Sequence, residues 1–293
     1  MDGAAQVAID PNGSPNGRSE HFSRPSEGEG PKQDPLPQYR GNRREKSRLK
    51  AYVKAEIKLT HTDIPTLSCC FISGLIDSAV FNAFGIFVSM QTGNTIITGL
   101  GPSSRISPDP YTWAKSLTSI VCFFCGAFFF SRFCRFLGPL RRSTLCSSFL
   151  LQAVFIFITA AVIQAGVVDG TVSTVQEGIQ WKQEIIIALL SFQSAGQIVE
   201  SRNLGLNEIP TVVITSVLCD LGSDPKLTDS LGSNVKRNRR VLGFLCILIG
   251  AIISGFITRA TGQMQTVLWI AGGIKFAIAC SWAVWAEKHQ VPI

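Results

Sequence analysis

The sequence predicts an all-α integral membrane protein. Six transmembrane helices form a 3+3 inverted repeat, the first helix of each half broken, behind a disordered N-terminal tail. Three observations predict this. Long, nearly charge-free apolar blocks come in two sets of three, and about 20 such residues cross a bilayer. Each set opens with a segment interrupted by Gly, Pro and polar residues. Lys and Arg crowd alternate connections, which orients a membrane chain.

Residues 1–64 hold 11 of the 27 Lys/Arg and 9 of the 20 Asp/Glu, with Pro11, Pro15, Pro25, Pro31, Pro35 and Pro37 spread among them. Such a stretch buries too little apolar surface to offset its ordering entropy, so it reads as a disordered, basic cytoplasmic tail. It lacks the apolar core of a secretory signal, and its scattered acids do not suit a mitochondrial presequence.

The membrane domain covers 65–289, with repeat 1 at about 65–166 and repeat 2 at about 184–286. Crossings are expected at about 66–90, 113–131, 144–166, 184–200, 241–258 and 265–286. Apolar runs at 95–101 and 209–221 are too short to span alone. Basic clusters at 40–58, 132–142 and 222–240 contrast with Arg105, Lys182 and Arg259 in the other connections. The positive-inside bias therefore places both termini in the cytoplasm, with the plasma membrane favoured. Counting the two short runs as crossings would turn the arginines of 132–142 outward, so an eight-span chain is rejected. The patch at 40–58 orients the chain and could also hold anionic lipid. Nucleic acid is not an expected partner, because no folded basic module accompanies the patch.

The nine cysteines lie in or at the rims of apolar blocks and give no disulfide framework. Cys122 and Cys125 have redox-pair spacing, but they read first as two small apolar residues one helical turn apart.

The halves align on small anchors: Leu75-Ile76-Asp77-Ser78-Ala79 with Ser191-Phe192-Gln193-Ser194-Ala195, Thr92-Gly93 with Thr215-Ser216, and Gly126-Ala127 with Gly250-Ala251. Three spans per unit is odd, so the second copy enters the membrane from the opposite side, as in several transporter folds. Gly74-Leu-Ile-Asp77-Ser-Ala, Phe87-Val-Ser-Met-Gln-Thr92-Gly93-Asn94 and Thr211-Val-Val-Ile-Thr215 resemble the signatures of the YoaK-like membrane family, found in bacteria and fungi. The resemblance covers about 65–286 and departs at Thr215-Ser216, where Thr-Gly is usual. It implies an integral membrane protein suspected of transport, with no settled substrate, and supplies no mechanism.

Catalysis is not expected. His21, His61 and His289 lie outside the membrane core, so no histidine base stands beside a buried nucleophile. Gly99-Leu-Gly101 lacks the Lys-Ser/Thr of a phosphate loop. No metal or other cofactor is expected either. What remains are polar residues at membrane depth. Asp77 and Lys275 fall near mid-bilayer, where a charge usually finds a partner or a cavity. They are expected to pair, and the repeat then implies a Gln193–Gln152 contact in the other half. A simple lock between helices competes with a transport role for these pairs. Glu200 and Arg202 read as an interfacial pair. The breaks at Thr92-Gly93-Asn94 and 207–211 would free backbone groups toward a ligand, with a ligand-free kink as the alternative.

The expected function is a secondary transporter or permease of a small polar solute, with proton coupling through Asp77. Its solute site would lie between the broken helices, lined by Thr92, Asn94, Gln193, Thr211 and Thr215. The alternatives are a scaffold or accessory protein acting through the basic tail, and a channel. The expected partners are the lipid bilayer and the solute.

Overall fold

Apolar runs without internal proline satisfy their own backbone as helices, which a bilayer demands. A computed structural model describes residues 45, 48, 51–103, 111–171, 181–209 and 211–288. After Thr62 come α1 (Asp63–Phe84), α2 (Gln91–Leu100), α3 (Thr112–Leu137), α4 (Arg142–Gln164), α5 (Trp181–Asn203), α6 (Ile214–Gly222), α7 (Val235–Thr261) and α8 (Gln265–Ala283). Five of these, α1, α3, α4, α7 and α8, are long and apolar enough to cross a membrane. The expected crossing at 184–200 coincides with α5. That helix has 23 residues but carries Gln193, Gln197 and Glu200, all nearly inaccessible. It faces other helices, so its sequence need not be apolar.

The short helices α2 and α6 have 10 and 9 residues, or about 15 Å at the α-helical rise. That is half of a hydrocarbon core of about 30 Å. The first break falls earlier than expected. Gly85, in the left-handed region at φ 72°, ends α1 and donates to Phe81 O at 2.9 Å. Residues 85–90 then run irregularly, while Thr92-Gly93-Asn94 sits inside the first turn of α2. Glycine at this position is a usual helix stop; the apolar residues around it hid the stop. The second break follows α5, with Gly205 at φ 73° and Thr211 at φ 57°.

Helix pairing has a regular plan. α1 packs on α7, α3 on α5 and α4 on α8; α2 rests on α3 and α6 on α7; α8 touches α1 and α5 touches α4. Exchanging the first four helices for the last four leaves this set unchanged. α1 and α7 run parallel, with contacts advancing from Asp63–Arg239 to Ser78–Ala251. α3 and α5 also run parallel, from Ser119–Ser191 to Cys134–Glu200. Both crossings use glycine. A Cβ on Gly250 would meet Phe71 O at 2.3 Å, and one on Gly126 would meet Phe192 O at 2.3 Å. Close backbone approach at small residues is how helices adhere where lipid competes. Setting the two glycine crossings side by side puts Phe71 opposite Phe192 and Ser73 opposite Ser194, five residues away from the register read off the small anchors.

Residues 51–58, read as tail, are docked. Ile57 N donates to Leu140 O, Lys58 N to Ala286 O and Lys288 N to Glu56 O, at 2.9–3.0 Å. Arg142 reaches Tyr52 O and Trp285 O at 2.9 and 2.6 Å and lies 3.8 Å over the Tyr52 ring. The start of α1, the α3–α4 connection and the end of α8 thus share one end of the bundle. Arg239, salt-bridged to Asp63 and Glu208, adds the start of α7 to it. Near α7, Asp224 accepts from Lys226 N and Asn234 Nδ2, and these bonds hold its carboxyl below the usual range. The opposite end joins the α4–α5 and α7–α8 connections through Met264 N to Gly170 O at 3.1 Å. The rest of the tail reading, over 1–44, lies outside the described residues.

Candidate functional site

An ionisable group inside an apolar bundle must be met by a partner or a cavity. Asp77 has both. Its Oδ1 accepts from Val88 N at 2.8 Å and Ser89 N at 3.0 Å, and its Oδ2 accepts from Ser89 Oγ. The carboxylate thereby satisfies the backbone that the first break exposes. Lys275 is fully buried. Its Nζ donates to Gln197 Oε1 at 2.6 Å and approaches Cys69 Sγ at 3.9 Å and the Phe149 ring at 5.6 Å. Gln197 Nε2 in turn donates to Ser73 Oγ, one turn before Asp77.

The expected Asp77–Lys275 ion pair is therefore not formed. Free backbone amides lie closer to the carboxylate than any cation, and a neutral glutamine takes the lysine. The implied Gln193–Gln152 contact is not formed either. Gln193 Nε2 donates to Leu190 O at 3.1 Å, and Gln152 Nε2 to Ser148 Oγ at 3.3 Å.

α1, the two breaks and α7 line a half-open cavity of about 170 Å³. Ser73, Asp77, Ser78, Asn82 and Ser89 give it polar atoms; Val212 and Ile214 come from the second break, and Ile247 and Ala251 from α7. Phe81 and Phe87, stacked with centroids 4.8 Å apart, supply an aromatic wall together with Met90. Among the described residues, Asp77 is the only ionisable one in this lining. Behind it lies a void of about 10 Å³, where Ser73, Asp77 and Ser89 face Gln193, Ser194 and Gln197 of α5. Polar groups thus run from the cavity through Asp77 and Ser73 to Gln197 and Lys275.

The five residues expected to line one site are not brought together. Gln193 lines the small void. Thr211 is buried beside another space of about 10 Å³, near Glu208 and Arg240. Thr92 and Thr215 are exposed. Asn94 is fully buried and fully used: Oδ1 accepts from Phe87 N at 3.0 Å, and Nδ2 donates to Phe87 O, Gln91 Oε1 and Ser119 Oγ at 2.6–3.0 Å. It pins the break to α3 and leaves no group for a ligand. The break borders the cavity, whose wall is built mainly by α1 and residues 87–90.

Sequence reasoning passed over Ser73, Ser78 and Ser89, whose only signal was spacing from Asp77 on or beside one helix. It also read Glu200 as interfacial. Glu200 is fully buried, accepting from Cys134 Sγ at 3.0 Å and Asn203 Nδ2 at 3.4 Å, while Arg202 is exposed.

A family model, "Protein of unknown function (DUF1275)", matches residues 66–281, and the chain belongs to that family. The match starts inside α1 and ends inside α8, so it contains both breaks and the cavity. No curated protein and no solved structure matches the chain.

Proposed function

We propose that this member of the DUF1275 family is a secondary transporter of a small polar solute, which binds in the cavity between the two breaks. The observation that carries the reading is the meeting of both non-helical segments with a carboxylate at one cavity of about 170 Å³. Irregular backbone at membrane depth is tolerated where protein or a water-filled space satisfies it, and in transporters such breaks mark the binding site.

In this reading α5 is the sixth crossing and the halves form a 3+3 inverted repeat. The exchange symmetry of the helix pairing supports it. So do the directions: α1 and α7 start at the end where α3 stops and α8 finishes, and α5 descends beside α3. Rocking the α1–α7 pair against the α3–α5 pair would open the cavity to either side in turn. The end bearing Arg132, Arg135, Arg141, Arg142, Lys236, Arg239 and Arg240 is the cytoplasmic one by charge bias, so both termini lie in the cytoplasm. Asp77 is assigned the coupling role, since a proton gained or lost there changes the charge of the binding cavity itself. The protein acts as a carrier and not as an enzyme.

The test is an untargeted comparison of metabolites inside and outside cells with and without the protein, followed by uptake into liposomes holding the purified full-length chain. Saturable flux that is lost in Ala251→Leu, with folded protein retained, supports the reading. Non-saturable flux indicates a channel. Retained phenotype after removal of residues 1–44 argues for the membrane core, and loss argues for a tail-dependent scaffold.

A further inference from the structure

Resting on the transporter reading, we infer that the cavity selects small organic cations, with an ammonium group on Asp77 and an apolar stem against Phe81, Phe87 and Met90. Three features carry this. First, Asp77 is the only ionisable residue lining the cavity among the described residues, and the buried Lys275 is turned onto Gln197, which in turn bonds Ser73. An anion entering the cavity would meet a carboxylate in a medium of low dielectric, which disfavours it strongly. A cation would meet an opposite charge and no competing one.

Second, the carboxylate is held ready with capacity to spare. A carboxylate offers about four acceptor positions on two oxygens. Val88 N and Ser89 N occupy Oδ1, and Ser89 Oγ takes one position on Oδ2. One Oδ2 position remains for an incoming N–H. The three bonds fix the group in place, so a ligand loses little to side-chain ordering.

Third, the other lining groups suit an aminated, partly apolar molecule. Ser78 Oγ donates to Ala251 O at 3.2 Å, which leaves its oxygen able to accept. Asn82 offers an amide to a hydroxyl or ether on the ligand. Phe81 and Phe87 present a stacked aromatic wall of the kind that attracts alkylammonium groups. The volume, about 170 Å³, is comparable to cavities that hold benzene, which suits a solute of roughly six to eight non-hydrogen atoms.

The test uses detergent-purified full-length protein and three probes with one stem: n-butylammonium, 1-butanol and butyrate. Calorimetric titration and thermal melting are read for each. Butylammonium should bind saturably and raise the melting temperature, with butanol and butyrate weaker by at least about tenfold, as expected for loss of one charged hydrogen bond. Choline should compete. Asp77→Asn keeps an oxygen for the Val88 and Ser89 amides and should abolish the preference. Ala251→Leu fills the cavity from the opposite wall without touching Asp77, and should abolish binding of all probes while the protein elutes as a folded species. Equal binding of butyrate or butanol, absence of butylammonium binding, or butylammonium binding unchanged in both variants would overturn the assignment. Binding of choline without its uptake into liposomes would leave the cation site standing and overturn the transporter reading instead.

Discussion

The bond between Lys275 and Gln197 gives the sharpest energetic prediction. Lys275 is 0% exposed, and its close oxygen partner is Gln197 Oε1 at 2.6 Å. Gln197→Leu removes that acceptor and also the donor to Ser73 Oγ. A hydrogen bond to a charged group contributes about 1.5–3 kcal/mol, and a stranded buried partner adds its desolvation cost. The single change should therefore destabilise by about 3 kcal/mol. Lys275→Met alone strands only the neutral amide oxygen, so it should cost about 1–2 kcal/mol. The double change places two apolar side chains of similar volume in an apolar environment, which is often neutral. It should recover stability relative to the sum of the singles, giving a coupling of about 1–3 kcal/mol. Asp77→Asn combined with Lys275→Met should add without coupling, because the two groups share no bond. Purified variants in mild detergent, unfolded by heat or denaturant with tryptophan fluorescence as the probe, would show this. Additivity for Gln197 and Lys275, or coupling between Asp77 and Lys275, would refute the pairing of Lys275 with Gln197 rather than with Asp77.

Other outcomes follow from the same geometry. Gly250→Ala and Gly126→Ala drive a methyl to within 2.3 Å of a carbonyl oxygen and should each cost about 1–3 kcal/mol as overpacking; Gly99→Ala, with nothing within 4 Å, should be neutral or mildly stabilising, and melting curves separate the three. Asn94→Leu removes four hydrogen bonds at the first break and should lower folded yield by size-exclusion chromatography, whereas exposed Thr92→Val and Thr215→Val should leave both yield and probe binding unchanged. In a background without reactive native thiols, an impermeant maleimide added to intact cells should label Val167→Cys, an exposed position of the α4–α5 connection, and spare Ser233→Cys; the reverse pattern would invert the orientation.

The apolar helices were legible because the solvent for their outer faces is lipid, and a run such as Val241–Thr258 has few readings besides a buried helix. α5 was harder: its inward face carries Gln193, Gln197 and Glu200, so its burial comes from neighbours that hydropathy does not see. The break was legible in kind and misplaced in position, since Gly85 lies between Phe84 and Ile86 and no polar residue announces the stop. Asp77 was found by its depth, but its partners were not. Backbone amides carry no letter in a sequence, and two of the three donors to Asp77 belong to the main chain of Val88 and Ser89. The same blindness explains Asn94, which looked like a ligand-binding side chain and is consumed by Phe87. The cavity wall was read from its two breaks, while the serines that line it were too ordinary to single out.

The strap at residues 51–58 bears on how the chain is made. It joins residues that precede α1 to Trp285, Ala286 and Lys288, which follow α8 and are synthesised after it. Until those residues emerge, Arg142 lacks its bond to Trp285 O and Lys58 N lacks Ala286 O. Contacts between such distant points of a sequence form late, because a long loop must close first. This end of the bundle thus stays unlatched during synthesis and closes only around a finished α8. Nascent chains stalled before residue 284 would lack the Trp285 bond of Arg142 and the Ala286 bond of Lys58, a recognisable mark of incomplete assembly for quality-control proteases at that surface.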